Sequence, residues 1–156
     1  MMDAQDMDDD LDKLSYTSRI PFARHLGFEL TRFEGGESEI RYTARPEHLN
    51  TFDVTHGGAC MTLLDITMAA AARSGTPEVG VVTIEMKTSF MAPAVGPLIV
   101  RGKLLQRTAT MAFTEAKIYD AQERVCAHAT GTFKYVKRRL PTGPASANEM
   151  RPPSTD

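Results

Sequence analysis

Two hydrophobic periods succeed one another along this 156-residue chain. Residues 28–33 and 38–43 alternate moderately between apolar and polar around Glu34-Gly35-Gly36-Glu37, which predicts a hairpin. From about Gly57 to Arg73 the pattern is apolar nearly all round, which predicts a long buried helix ending near Ser74-Gly75-Thr76-Pro77. Two-residue alternation then returns. Val82, Ile84, Met86, Thr88 and Phe90 are expected on one face of a strand, with Thr83, Glu85, Lys87 and Ser89 on the other. Residues 98–106, 110–119 and 125–136 supply three more strands, and Ile20 to Leu26 a short helix that tolerates Pro21 in its first turn. An α+β domain is therefore expected. About six strands are available to bury one apolar helix, and a curved antiparallel sheet wrapped about that helix does so best.

Asp65 is the only charge between Ala59 and Ala72. Burying a carboxylate is costly unless something pairs with it or uses it. A local hydroxyl or a partner helix could satisfy it; the alternative is a functional role, because buried titratable groups cluster at active sites. His56-Gly57-Gly58 opens the same helix. Its first N–H groups have no partner within the helix, and the dipole adds partial positive charge there. The two glycines would let a substrate carbonyl approach such N–H groups closely, as an oxyanion site requires, or would simply permit tight packing against the sheet. Nine residues separate His56 from Asp65, about two and a half turns, which places them on opposite faces and ~13 Å apart along the axis. The same opposite-face relation is expected of Gly57 and Asp65. One helix would then be unable to bring both to one carbonyl, so two subunits are expected to share a site.

Composition narrows the class. Hydrophobic content of 42% and charged content of 24% are those of a globular domain, and no apolar run approaches the ~20 residues that span a bilayer. The acidic start is unlike a signal peptide, so a cytoplasmic location is expected. Residues 1–17 and the proline-rich residues 141–156 read as tails flanking one domain over 18–140. Residues 13–140 hold 17 basic and 12 acidic side chains, a difference of +5. That excess suits a polyanionic small molecule and is too diffuse for nucleic acid. Cys60 and Cys126 are expected as buried free thiols, and nothing has the spacing of a metal site.

Asn50, His56-Gly57-Gly58, Asp65 and the stretch Val82-Thr83-Ile84-Glu85-Met86-Lys87-Thr88-Ser89-Phe90-Met91-Ala92-Pro93-Ala94 together resemble the hotdog fold, and within it the phenylacetate-type acyl-CoA thioesterases. The resemblance covers roughly residues 20–137. It implies a dimer or a dimer of dimers with sites between subunits, acting on acyl-CoA with no cofactor and no metal. It further implies that Asp65 is the catalytic carboxylate, that Gly57 offers its N–H to the thioester oxygen, that Asn50 and His56 support the site, and that Thr83 orients water. Asp53 stands where many relatives have glycine, at a turn where positive φ is restricted for a residue with a side chain. Gly58, Met61, Met68 and Phe90 are expected to line an apolar acyl pocket, although methionines on a buried helix also serve as plain core. Lys137, Arg138 and Arg139, with Lys134, form the densest basic group and are candidates for the CoA phosphates. Two other readings remain at this point. A hydratase or dehydratase on the same scaffold would pair an Asp with a nearby His, and a binding module would gain nothing from a buried unpaired carboxylate.

Overall fold

The computed structural model describes residues 20–137, so both expected tails, and Arg138 and Arg139, lie outside the described residues. Helix α1 (Pro21–Leu26) has Pro21 in its first turn and ends on Gly27 at φ 73°, a left-handed cap that glycine adopts freely. Strands β1 (Glu29–Glu34) and β2 (Glu37–Thr43) form the expected hairpin, and helix α2 (Gly57–Arg73) has the expected limits. Strands β3 (Gly80–Phe90), β4 (Pro97–Arg107), β5 (Met111–Tyr119) and β6 (Val125–Val136) follow. All six join one antiparallel sheet in the order β1-β2-β4-β5-β6-β3, which leaves β1 and β3 at its edges.

Helix α2 lies across one face of this sheet and touches all six strands. Leu63, Leu64 and Met68 of the helix are buried completely, as are Ile40, Val100, Ile118 and Phe133 of the strands facing it. Polar ties lock the two layers. Ser38 Oγ donates to the Thr67 carbonyl at 2.6 Å, and the Gly36 N–H donates to Ser74 Oγ at 2.7 Å. Tyr135 reaches from β6 to the Ala72 carbonyl at 2.9 Å. Among the described residues no helix is long and apolar enough to cross a membrane, and no group of metal-ligating side chains gathers.

The alternation expected along β3 fails at one point. The pairing with β6 slips between Thr83 and Glu85, where Ile84 is an extra residue. Such a bulge puts two residues opposite one and inverts the faces beyond it. Val82 and Ile84 are accordingly exposed instead of sharing a face with Met86. Thr83, expected on the opposite face from Met86, instead points toward the helix, where it bonds Asp65. Glu85 emerges on the far side and accepts a bond from Thr132.

Gly102 marks the tightest contact between the layers. A Cβ there would lie 2.6 Å from Ser38 Oγ and 2.8 Å from the Thr67 carbonyl oxygen, closer than real atoms approach. Gly102→Ala is expected to destabilise the fold by about 1–3 kcal/mol through overpacking, read as a lower denaturation midpoint in urea at unchanged slope. A midpoint equal to wild type would mean that helix and sheet are not held at this distance.

Candidate active site

The approach to α2 is a tight loop built on Asn50. Its side-chain oxygen accepts the N–H groups of Phe52 at 2.8 Å and Val54 at 3.3 Å, and Leu49 pairs with Thr55 across the loop. Asp53 sits at φ 57°, so this turn does require positive φ, and Asp supplies it without glycine. The Thr55 N–H then bonds the Ala94 carbonyl at 3.0 Å, and the His56 N–H bonds the His48 carbonyl at 2.8 Å. The helix start is thus anchored to two other segments.

His56 is the N-cap of α2, and its Nδ1 accepts the Gly58 N–H at 2.8 Å. With Nδ1 acting as acceptor, the neutral ring carries its proton on Nε2. This corrects one expectation. The Gly58 N–H is already engaged, so of the two glycines only Gly57 keeps an N–H without an acceptor among the described residues.

Asp65 is half-buried, and its Oδ1 accepts the Thr83 hydroxyl at 2.7 Å. Burial pushes its carboxyl above the ordinary value by more than the Thr83 bond pulls it down. Neither oxygen meets a cation among the described residues. The sheet covers only one side of α2, leaving Gly58, Met61, Thr62, Asp65 and Ala69 at least partly open. The helix is therefore not buried all round. Gly57 faces Phe90 of β3, and Asp65 faces Thr83 of the same strand. Gly57 and Asp65 accordingly lie on one side of the helix, not on opposite faces. Eight residues still separate them, ~12 Å along the axis.

Beside Gly57 lies an apolar cavity of about 340 Å³, whose wall includes Asn50, Thr55, Cys60, Phe90, Pro93 and Cys126. Phe90 is part of its wall. Met68 is not: it is fully buried, with its methyl group over Gly131 on β6, and so belongs to the core. Met61 is partly exposed on the open stripe, away from this wall. Both cysteines are free and buried, as expected. Lys137 follows the end of β6 as an exposed residue. His128 pairs with Glu115 at 3.2 Å, distant in role from Asp65, and His48 takes Tyr42 at 2.7 Å. The wall residues Thr55, Ala92, Pro93, Ala94 and Cys126 come from three separate segments. No local motif announces them, and only the fold brings them together.

An acid whose carboxyl is raised by folding weakens the folded state whenever it is ionised. That cost is present at neutral pH and disappears as pH falls through the folded value toward the ordinary ~3.9. Asp65→Asn is therefore expected to raise the melting temperature at pH 7. The gain should shrink as pH falls through the raised folded value and vanish below the ordinary ~3.9. A variant less stable than wild type at pH 7 would contradict an uncompensated carboxylate at this position.

A profile of the thioesterase superfamily matches residues 52–127, from the loop before α2 to the start of β6. Proteins of Saccharolobus solfataricus and Thermoplasma acidophilum, each named only provisionally as an esterase, are 27% and 25% identical over 118 residues. The matches cover 75% of this chain in both cases, and 84% and 89% of those proteins. A thioesterase family protein of Silicibacter pomeroyi superposes with a TM-score of 0.77 at 24% identity, over 83% of this chain and 98% of that one. The E. coli PaaI protein from the phenylacetic acid degradation operon superposes at 0.75 and 18% identity, over 81% and 91%. The six-stranded antiparallel sheet about one long helix is the hotdog fold of these structures, and residues 52–127 are similar to the thioesterase superfamily.

Proposed function

We propose that this protein hydrolyses the thioester of an acyl- or aryl-CoA to free acid and CoA, on the phenylacetate-type branch of the thioesterase superfamily. The observation that carries the reading is the presence, among the described residues, of an unengaged N–H at Gly57 and of a carboxylate at Asp65 whose only partner is a hydroxyl. A thioester is already activated, so an oxyanion donor and one base or nucleophile suffice for its hydrolysis. The Gly57 N–H, at the positive end of α2, receives the thioester oxygen as it gains charge. Asp65 supplies the electron pair, directly to the carbonyl carbon or through a water that it deprotonates. Thr83 fixes the carboxylate's rotamer, and His56 fixes the first turn of the helix. A hydratase would need a His beside Asp65, and no His among the described residues bonds it.

The ~12 Å between Gly57 and Asp65 exceeds what one carbonyl can bridge, so each site takes its two halves from two copies of the chain. Strand β3 offers the means. It is an eleven-residue edge strand carrying exposed Val82, Ile84 and Phe90. An unpaired edge of that length is a template for another strand. Antiparallel pairing of two β3 strands about a twofold axis between Met86 and Lys87 sets Thr83 of one copy opposite Phe90 of the other. Asp65 of the first then meets Gly57 of the second, giving two equivalent sites per dimer. The diffuse positive charge of the domain suits the CoA phosphates, and Lys137, Arg138 and Arg139 are the proposed contacts.

Thiol release should be measured over a panel of phenylacetyl, hydroxybenzoyl and short- to medium-chain acyl-CoAs. Asp65→Asn is expected to lower kcat by ~10²-fold or more on the best substrate while remaining folded. Wild-type turnover in the purified variant would remove Asp65 from the chemistry. Mixing an inactive Gly57→Pro chain with an inactive Asp65→Asn chain is expected to recover activity, because each mixed dimer contains one site with both groups intact. Verified heterodimers that stay inactive would rule out a shared site.

A further inference from the structure

We propose that His48 positions the Gly57 N–H, through the backbone bond that its carbonyl accepts from His56, and does so only while its ring is neutral. For its effect on catalysis the inference rests on the thioesterase reading above, which it deepens by making the oxyanion donor acid-sensitive. His48 ends the short 3-10 turn Pro46–His48 between β2 and α2 and is buried at 6% exposure. Its N–H returns to the Arg45 carbonyl at 2.9 Å, and its own carbonyl receives the His56 N–H at 2.8 Å. His56 is the N-cap of α2, so whatever holds residue 48 also holds the residue that precedes Gly57. Residues 49–55 close on themselves through the Leu49–Thr55 bridge and the bond from the Asn50 N–H to the Val54 carbonyl. Where that closed loop stands is therefore decided at its base.

The His48 side chain holds the base. Its ring stacks on Tyr42 of β2 at 5.8 Å and meets His25 of α1 edge-on at 6.0 Å. The Tyr42 hydroxyl lies 2.7 Å from Nδ1, and the Arg45 N–H donates to the same nitrogen at 3.3 Å. A nitrogen that receives donors holds no proton, so the neutral ring carries its hydrogen on Nε2. Nε2 lies 3.4 Å from the Arg45 guanidinium, which also donates to the His25 carbonyl and pairs with Glu47 at 3.1 Å. A second proton would fall on Nδ1. There it would oppose the Arg45 N–H, force the Tyr42 hydroxyl to turn away, and set an imidazolium beside a guanidinium. The titratable and charged groups about the ring are Arg45 and Glu47 of its own turn, Tyr42 of β2 and His25 of α1. Cys60 of α2 lies beyond Tyr42 and, pushed up by burial to about 11, stays neutral. Burial, with Arg45, lowers the His48 ring below its ordinary value by more than Glu47 raises it. A histidine lowered in this way costs the folded state nothing above the ordinary ~6.5 and weakens it increasingly as pH falls below that value. The weakening falls on the turn whose carbonyl holds the helix start.

Amide hydrogen exchange on the full chain reads this without substrate. In wild type the His56 N–H, corrected for its intrinsic rate, is expected to lose about threefold or more of its protection between about pH 7.5 and about pH 5.5. His48→Asn keeps an oxygen where Nδ1 stood and cannot be protonated there, so its protection is expected to change by less than about twofold over the same range. Tyr42→Phe removes the hydroxyl that favours a bare Nδ1 and is expected to move the fall to higher pH, which decides the matter if His48→Asn does not fold. His56 and Asp65 titrate in all three chains, so differences between their curves belong to the ring at position 48. On the acyl-CoA turned over best, the loss of kcat between the two pH values is expected to be about threefold or more greater in wild type than in His48→Asn. The change in KM should be alike in both, because an oxyanion donor acts in the transition state. Flat His56 protection in wild type would overturn the proposal, as would a fall of equal size in His48→Asn or an unshifted fall in Tyr42→Phe. Failure of the thioesterase reading looks different: wild type would release thiol from no acyl-CoA, while the exchange curves would still decide what His48 does to the helix start.

Discussion

A single sheet can cover only one side of a helix, and this constraint decides where the chemistry can sit. Leu63, Leu64, Ile66, Met68 and the three alanines 70–72 of α2 are buried in the interface with the six strands. The side that the sheet leaves partly open forms one stripe, which holds Met61, Thr62, Asp65 and Ala69. A two-layer protein of this kind leaves its helix half finished. The uncovered side either meets water or meets another copy. Placing the lone carboxylate of the helix on that side keeps it out of the core, where it would be prohibitively costly, yet leaves it half-buried enough for its proton affinity to rise.

The bulge at Ile84 does the complementary work on the sheet. Strict alternation would have turned Thr83 away from the helix and left Asp65 without its hydroxyl. One additional residue brings Thr83 inward while Met86 also stays inward, so the strand serves the site at one end and the core at the other. Because the bulged residue cannot pair fully, this end of β3 is also where an edge strand is least regular. The bulge thus shapes the site, while the strand order leaves the same strand at the edge of the sheet.

Much of the architecture was legible from residue patterns. The limits of α2 followed from a glycine pair before an apolar run and a Ser-Gly-Thr-Pro stop after it, and the hairpin and the later strands followed from alternation between turn residues. What escaped was whatever depends on pairing. Val-Val-Thr-Ile-Glu-Met reads as unbroken alternation, and only the partner strand reveals that Ile84 is extra. Angular position on the helix was misjudged for a different reason. Nine steps from His56 is half a turn out of phase, but His56 caps the helix from outside, and eight steps from Gly57 is less than a quarter of a turn. The axial separation, which does not depend on phase, keeps its force as an argument for a composite site.

Asn50 and Asp53 show how a loop can keep its shape without glycine at its tip. The turn before α2 needs one residue at positive φ, and glycine is the least demanding choice. Asp53 occupies that conformation here, while the Asn50 side chain carries two of the loop's N–H groups. The backbone bond from His56 to His48 then fixes the helix entry regardless of what stands at the tip. The proposed chemistry depends on the direction of the Gly57 N–H, and three separate hydrogen-bonded anchors set that direction. An aspartate in place of glycine at the tip changes the conformational freedom of the unfolded chain more than it changes the position of the donor, so the proposed oxyanion site depends on the anchors and not on the residue that makes the turn.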